Sequence, residues 1–178
     1  YITMSENIED IKNKIIYRSL YRGSKEMDIL ISNFVKSIIN ELDYNELFIL
    51  DEFVNFDDEL LKILKKNKFS TNVGDEGGFA PMINDNETAL KILVQAIKKS
   101  GFKNGKDMSI CLDVAANELI KKGKYSIHSK NYISVDQSIK KYLQLIKKYQ
   151  IKSIEDPFGE DDWKAWSKFI NETKNKTQ

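Results

Sequence analysis

Apolar residues recur at helical spacing through the first 60 positions and do not alternate with a period of two. Asp43 and Glu46 predict a capping box before the third of three amphipathic stripes, and Gly23, the only glycine in the first 70 residues, predicts a break after the first. This part is therefore predicted to be a small all-α helical bundle. The stripes consist of Ile8, Ile11, Ile15 and Ile16; Met27, Leu30, Ile31, Phe34, Ile38 and Ile39; and Leu42, Leu47, Leu50 and Phe53.

The pattern changes after residue 61. Apolar runs of strand length now alternate with longer amphipathic segments, an order that predicts parallel βα units. Ser134 stands three residues before Gln137 and predicts a second capping box. The strand-like runs are residues 108–115 and 151–158, and the helical segments are 87–101, 134–149 and 161–170.

Three acids, Glu76, Asp113 and Glu155, stand at or just after the ends of predicted strands. In a barrel of parallel βα units, the active site is built at the carboxyl ends of the strands. Neighbouring carboxylates repel one another unless a cation or a shared proton offsets their charge, and oxygen ligands without His or Cys favour Mg²⁺. The residues alone leave a second interpretation open, in which these acids only cap the helices that follow.

The net charge of the chain also changes sign after residue 61. Residues 1–61 carry 6 Lys+Arg against 13 Asp+Glu, a net charge of −7, and residues 62–178 carry 22 against 14, a net charge of +8. A swing of this size indicates two units of different origin. The basic part lacks the interleaved aromatic and basic residues of nucleic-acid binders, so no nucleic-acid partner is predicted.

Composition indicates the general class of the protein and its compartment. With 41% hydrophobic and 31% charged residues, and no apolar run near the roughly 18 residues of a membrane span, we expect a globular cytoplasmic protein. The single cysteine, Cys111, fits a reducing compartment, and its apolar neighbours predict a packed core residue. His128 is predicted to lie at the surface. Met4 is a candidate natural start, which would leave residues 1–3 without a structural role.

The segment YRSLYRGSKEMD, residues 17–28, carries the clearest pattern of the acidic part. Spacing alone favours a surface ion pair between Arg22 and Glu26, worth about 0.3–0.5 kcal/mol. However, RGSKE followed by MDILISNF resembles the RGxxE motif of the succinate dehydrogenase assembly factor (FAD assembly factor SdhE) family. The resemblance extends over about residues 8–61 and includes the lead IIYRSLYRG and the acidic segment LDYNELFILDEFVNFDDEL.

This resemblance implies a helper protein. Members of the family bind the flavoprotein subunit of succinate dehydrogenase and promote covalent attachment of FAD, which belongs to the partner and is not held stably by the factor. Arg22, Gly23 and Glu26 occupy the motif positions and are the implied partner-binding residues. Gly23 would allow close backbone approach, and Arg22 would offer planar, bidentate hydrogen bonding.

The basic part resembles a second family. VGDEGGFAP, LDVAANE, GKYSI, YISVDQ and SIEDPFGEDDWKAW are similar, in order and spacing, to segments of the enolase (phosphopyruvate hydratase) family over about residues 61–169. The resemblance implies about three βα units of an incomplete, TIM-like enolase barrel. It implies Glu76 as the acid that protonates the departing hydroxyl of 2-phosphoglycerate. It also implies Asp113 and Glu155 as Mg²⁺ ligands, with Glu155 near the substrate.

The sequence departs from the enolase pattern in several places. Asn117 stands where the family usually has Ser, and Met82 stands where it often has Asn. The family's third metal acid and catalytic lysine would follow Gln178, and its N-terminal domain has no counterpart here. We therefore expect weak Mg²⁺ binding at best and no enolase turnover by this chain alone.

The leading interpretation is a fusion of an assembly-factor module, residues 4–61, with an enolase segment, residues 62–172, and a polar tail, residues 173–178. The two modules join at about residues 60–65 without a flexible linker, so that a single helix can serve both. One alternative is an enolase that acts on 2-phosphoglycerate with its missing parts supplied elsewhere. The other is a decayed gene product without activity.

Overall fold

The computed structural model describes residues 7–21, 25–75, 77–127, 131–173 and 177. Its residues cluster into two compact units, Tyr1–Met82 with Lys99–Gly101 and Ile83–Lys98 with Phe102–Gln178. The helices in the described ranges are α1 (Ile8–Ser19), α2 (Lys25–Ile38), α3 (Tyr44–Val54), α4 (Phe56–Lys66), α5 (Asn86–Lys99), α6 (Val135–Tyr149) and α7 (Trp163–Thr173). The strands are β1 (Cys111–Asp113), β2 (Ile120–Lys121), β3 (Lys124–Tyr125) and β4 (Ser153–Glu155), and Ala116–Leu119 form a short 3₁₀-helix.

The first unit is helical, as predicted. Helix α1 packs against α2 and α3 around one apolar core, and Lys14 pairs with Asp51 at 2.8 Å between α1 and α3. Burial of these side chains supplies most of the stability of short helices, which are marginal in isolation. The buried core residues are Ile11, Ile15, Val35, Ile39, Leu47, Leu50 and Val54.

The predicted capping box of α3 is confirmed. The side chain of Asp43 accepts a hydrogen bond from the Glu46 amide at 2.9 Å, and the Glu46 carboxylate accepts one from the Asp43 amide at 2.8 Å. Two amides that would lack partners at the helix start are thereby satisfied.

Helix α2 buries only part of the predicted stripe. Ile31 and Ile38 pack against the core and Ile39, directly after the helix, is buried in it, as predicted. Leu30 and Phe34 are 62% and 50% exposed, whereas Val35, which the predicted stripe omits, is fully buried. Ser32, a polar residue that the stripe also omits, is buried one turn before Val35, and its hydroxyl donates to the Ile29 carbonyl at 3.3 Å. Because this hydrogen bond stays within the helix, Ser32 can be buried without a partner elsewhere.

Helix α4 crosses the predicted junction between the modules. It continues past residue 61, with Asp57, Asp58 and Glu59 in its first turn and Lys65 and Lys66 in its last. This order of charges suits the helix dipole at both ends. The stretch of the first unit that contains α4 continues to Met82. The end of a compact unit does not show where two sequences of different origin were joined. The domain boundary between residues 61 and 62 therefore stays a prediction.

The second unit contains a parallel strand pair with a helical crossover. Strands β1 and β4 pair in parallel, with Cys111 opposite Ser153 and Asp113 opposite Glu155. Helix α6 lies between them in sequence, and its predicted capping box at Ser134 and Gln137 is confirmed. The short strands β2 and β3 form an antiparallel pair. The predicted change from helices to mixed strands and helices is therefore confirmed.

The strand predicted to end at or just before Glu76 is not found in the described residues. Between Lys66 and Asn86, those residues hold an isolated antiparallel bridge from Val73 to Phe79. The Gly74 amide donates to the Gly78 carbonyl at 2.8 Å, so the described part of this segment forms a tight turn. Such a turn uses backbone groups that a strand would offer to a neighbour. The number of three βα units stays a prediction.

An aromatic cluster forms the core beside β4. The Phe158 ring is 1% exposed and meets the rings of Tyr125, Tyr142 and Phe169 at centroid distances of 5.4, 5.8 and 5.6 Å. Edge-to-face geometry of this kind adds to the stabilisation from burial. Thr173, assigned by sequence to a polar tail, is buried at the end of α7 and donates to the Phe169 carbonyl.

Among the described residues, no helix combines the length and apolar composition that a membrane span requires.

Glu87→Gln should make the second unit less sensitive to acid. The Glu87 carboxylate accepts hydrogen bonds from Lys148 and from the Tyr149 hydroxyl, which join α5 to α6. The hydrogen bond from Lys148 and then that from Tyr149 lower the Glu87 pKa below its ordinary value of 4.5. A lowered folded-state pKa means that this contact stabilises fully above the unfolded pKa and is lost as pH falls through the folded pKa.

The measurement is the urea midpoint at about pH 7 and about pH 3, followed by tryptophan fluorescence. Both tryptophans, Trp163 and Trp166, lie in α7 and report on the second unit. The difference between the two midpoints should be smaller in Glu87→Gln than in the wild type and unchanged in the exposed control Glu118→Gln. Equal differences in all three proteins would show that the contact contributes nothing to acid sensitivity.

Candidate functional site

Two predicted carboxylates end neighbouring parallel strands. Asp113 is the last residue of β1, Glu155 is the last residue of β4, and the two are direct partners in the strand register. Adjacent strands lie about 4.8 Å apart, and residues in register project to the same side of a sheet. The structure therefore brings these two acids together on one face, and both are exposed.

The prediction that Cys111 is a packed core residue is wrong. Its thiol is exposed rather than packed in the core. Side chains alternate along a strand, so Cys111 shares a face with Asp113, while Leu112 faces the other way and is half-buried. The partner strand shows the same division, because Ile154 is buried and Glu155 is exposed. An apolar run in sequence cannot reveal that only one face of its strand is covered.

Unusual backbone conformations follow both acids. Ala115 has a φ of 47° and Asp156 a φ of 44°, the left-handed region that costs a residue with a side chain roughly 1–2 kcal/mol. The Ala115 amide donates to the Asp113 carboxylate at 3.2 Å. Val114 and Ala116 donate to the Glu155 and Asp156 carbonyls at 3.0 and 3.1 Å, which carry the pairing past the strand ends.

This donor set fits Mg²⁺ as a partial site. Asp113 and Glu155 offer carboxylate oxygens only, and Mg²⁺ is usually held by one or two carboxylates while water or substrate oxygens complete an octahedron. The described residues contain no group of three or more His, Cys, Asp or Glu side chains placed to share one ion. Asp113 and Glu155 would therefore hold the ion with ligands that these residues do not supply.

A cavity of about 440 Å³ lies beside β1 in the second unit. Among the described residues that line it, Asp113 is the only charged one, and most of the others are apolar, including Leu90, Leu112 and Leu145. A phosphorylated acid would lose hydration in such a cavity without gaining cationic partners. For a charged ligand, the described lining therefore favours the exposed face where Asp113 and Glu155 meet over the interior of this cavity.

The third predicted acid, Glu76, lies outside the described residues. Its neighbours Asp75 and Gly77 belong to the turn closed by the Val73–Phe79 bridge, and Gly77 has a φ of 82°. Glycine suits that left-handed conformation because it has no side chain to clash with the backbone. The assignment of Glu76 as a proton donor stays a prediction, as do the roles given to Asp113 and Glu155.

The motif of the helical unit is only partly described. Arg22 and Gly23 lie outside the described residues, and Glu26 lies in the first turn of α2. His128, in the basic part of the sequence, also lies outside the described residues, so its predicted surface position stays a prediction. Immediately before the motif, the rings of Tyr17 and Tyr21 lie 5.1 Å apart and are 63% and 69% exposed. Exposed tyrosines of this kind are typical of protein interfaces. The alternative ion pair between Arg22 and Glu26 remains untested.

Comparison with known families assigns both parts of the chain. Residues 52–178 match the family described as "Enolase, C-terminal TIM barrel domain". The chain belongs to the enolase family. Residues 13–74 match a second family, described as "Flavinator of succinate dehydrogenase". The predicted combination of an assembly-factor-like part with an enolase part is confirmed, and the two matches overlap over residues 52–74, where α4 lies.

Curated relatives agree with the enolase assignment. An enolase of Pelagibacter ubique is 70% identical over 116 residues, which cover 65% of this chain and 28% of that protein. An enolase of Sulfurimonas denitrificans is 39% identical over 153 residues, which cover 78% of this chain and 36% of that protein. The chain thus spans about a third of the length of these enolases.

Sequence reasoning missed the residues that shape the end of the enolase-like strand pair. The left-handed conformations of Ala115 and Asp156 have no signature in hydrophobic spacing. Pro157 marks a break after Asp156, but a proline favours an extended conformation of the residue before it. The proline could therefore predict a turn at this place, but it does not predict the left-handed conformation of Asp156.

Proposed function

We propose that this protein acts through its helical unit as an assembly factor for succinate dehydrogenase. In this proposal it binds the flavoprotein subunit and promotes covalent attachment of FAD, which remains with that subunit. Arg22, Gly23 and Glu26 make the contact, and the exposed rings of Tyr17 and Tyr21 extend the surface. We further propose that the protein acts in the cytoplasm.

The observation that carries this proposal is the coincidence of a family match with a compact unit. The flavinator match, residues 13–74, falls within a unit that has its own apolar core and includes α4. A module with its own core can present a binding surface whatever the state of the residues that follow. The enolase match covers only part of the length of its relatives, so enolase chemistry would need residues beyond those matched here.

The test is covalent flavin fluorescence of the flavoprotein subunit in a strain that lacks its own assembly factor. The strain receives either the full chain or residues 1–82, a truncation that keeps α4 whole, whereas a cut at residue 61 would divide it. Flavinylation by both would support the proposal and show that the enolase part is dispensable. Flavinylation by the truncation alone would show that the enolase part blocks the activity. Failure of both, with both proteins soluble, would refute the proposal.

The strand pair supports a second candidate, Mg²⁺-dependent enolase chemistry on 2-phosphoglycerate with further parts supplied by other residues. Asp113 and Glu155 would hold the ion on their shared face. When bound, Mg²⁺ would stabilise negative charge on the substrate carboxylate, as in enolase-superfamily sites generally. Glu155 would also lie next to substrate, and Glu76 would donate a proton to the departing hydroxyl.

The 178-residue polypeptide should not dehydrate 2-phosphoglycerate by itself. None of its residues is matched to the family's catalytic lysine or third metal acid, and members of a catalytic set do not compensate for one another. With saturating Mg²⁺, we expect turnover at least about 10⁴-fold below that of a complete enolase, which serves as the positive control. Phosphoenolpyruvate formation is followed by absorbance. Turnover that Glu155→Gln abolishes would contradict this prediction and favour the enolase candidate.

A further inference from the structure

The turn that follows β4 is held by side chains from the elements around it. The Tyr125 hydroxyl accepts a hydrogen bond from the Gly159 amide at 3.0 Å and donates to the Asp162 carboxylate at 2.9 Å. The Tyr142 hydroxyl donates to the Pro157 carbonyl at 3.0 Å. Both phenol rings are buried, with exposed fractions of 0% and 1%. The hydroxyls of two buried tyrosines therefore form hydrogen bonds with one short segment, residues 157–162.

Two further side chains hold the same backbone. The Trp166 indole donates to the Gly159 carbonyl, and the Asn117 side chain accepts from the Glu160 amide, each at 3.0 Å. A Cβ atom at Gly159 would lie 3.4 Å from the Asn117 Oδ1 atom and 3.5 Å from the Tyr125 hydroxyl. These are ordinary van der Waals distances, so the network does not require a glycine at position 159. Asn117, which departs from the usual enolase residue, has a defined structural contact here.

This network begins directly after Glu155. Asp156 takes its left-handed conformation between Glu155 and the anchored Pro157, and its carbonyl accepts from the Ala116 amide of the other strand end. A strained residue persists when the contacts around it leave no alternative. Burial raises the Tyr125 pKa, so its hydroxyl stays protonated at neutral pH and continues to donate to Asp162.

We propose that Tyr125 is a positioning residue for Glu155. By fixing Gly159 and Asp162, its hydroxyl holds the turn in the conformation that keeps Glu155 in register with Asp113. Two like charges would otherwise separate, because their repulsion favours a looser turn. A rigid turn places them together before a cation binds, which is how outer contacts raise the affinity of a metal site. The cation-binding part of this inference rests on the proposed enolase chemistry.

Tyr125→Phe in the full chain tests this role, because it keeps the ring and removes only the hydroxyl. The matched control is Tyr149→Phe, which deletes another buried hydroxyl of the same unit, one that donates to Glu87 and not to the turn. Hydrogen exchange is measured by NMR at the Val114 and Ala116 amides, which donate to the Glu155 and Asp156 carbonyls. After correction for global stability, we expect exchange at both amides to rise about tenfold in Tyr125→Phe and to stay unchanged in the control.

The second measurement is binding of Tb³⁺ alone, a hard cation that prefers oxygen ligands, followed by its luminescence. We expect about a tenfold loss of affinity in Tyr125→Phe and none in Tyr149→Phe. If the wild-type chain binds no Tb³⁺, the proposed metal role of the acids fails, and the exchange measurement still decides whether Tyr125 positions the strand end.

Equal exchange rates in Tyr125→Phe and Tyr149→Phe would overturn the inference and leave Tyr125 as a packing residue. Should Tyr125→Phe fail to fold, Tyr142→Phe removes the second anchor of the turn and should raise exchange at the same two amides. No rise in that variant would also overturn the inference.

Discussion

Replacing Arg22 with alanine should abolish the flavinylation that the full chain supports. The planar guanidinium of arginine can form two parallel hydrogen bonds with a partner carboxylate, and arginine is frequent among the residues that dominate binding energy at interfaces. Loss of such a contact typically costs about 2 kcal/mol or more, a weakening of roughly 30-fold. The readout is covalent flavin fluorescence of the flavoprotein subunit in a strain without its own assembly factor.

Two variants make this experiment specific. Arg18→Ala removes an arginine from α1 in the same unit, where Arg18 lies 3.9 Å from Asp58, and should leave flavinylation near the wild-type level. Arg22→Lys keeps the charge but loses the planar geometry, so it should restore only part of the activity. Full activity of Arg22→Ala would rule out the motif as the binding site, even if the helical unit proved to be an assembly factor.

Phe158→Ala should strongly destabilise the second unit. The Phe158 ring lies among four other aromatic rings, those of Tyr125, Tyr142, Trp166 and Phe169, and its removal leaves a cavity that the rigid neighbours cannot fill. Substitutions of this type cost about 3–5 kcal/mol, which is a large share of the stability of a small domain. Because the residue also belongs to the anchored turn after Glu155, partial unfolding should disorder the strand end as well.

The measurement is urea unfolding followed by tryptophan fluorescence, which reports on α7 of the second unit. Ile170→Ala is the matched control, because Ile170 lies on the same helix and is 55% exposed. It should change the free energy of unfolding by about 0.5 kcal/mol or less. A loss below about 1 kcal/mol in Phe158→Ala would show that the aromatic cluster can repack around the gap.

The correct predictions depend mainly on local chemistry. The capping boxes at Asp43 and Ser134 follow from side chains that reach an amide three residues away. The helices follow from apolar spacing, although the buried face of α2 also includes Ser32 and Val35, which the predicted stripe omits. Asp113 and Glu155 could be named because each follows an apolar run and lies in a recognisable segment.

Most of the missed features depend on contacts between residues far apart in sequence. Cys111 lies in an apolar run, yet its thiol is exposed because only the opposite face of β1 is covered. One error is local: the sequence predicts that the glycine-rich segment around residue 76 follows a strand, whereas its described part is a turn closed by the bridge from Val73 to Phe79. The anchoring of Gly159 by Tyr125 joins residues 34 positions apart, a separation at which no sequence spacing predicts a hydrogen bond.

The sequence by itself determined the two-part character of this protein, its helices and their caps, and the resemblance of each part to a family. These features rest on propensities and on interactions within one or two turns of chain, so they can be read from neighbouring residues. Only the tertiary structure decided the parallel register that sets Asp113 beside Glu155, the exposure of their face, and the left-handed turns that follow them. These depend on pairing and packing between distant segments, where burial and hydrogen-bond geometry outweigh local preference.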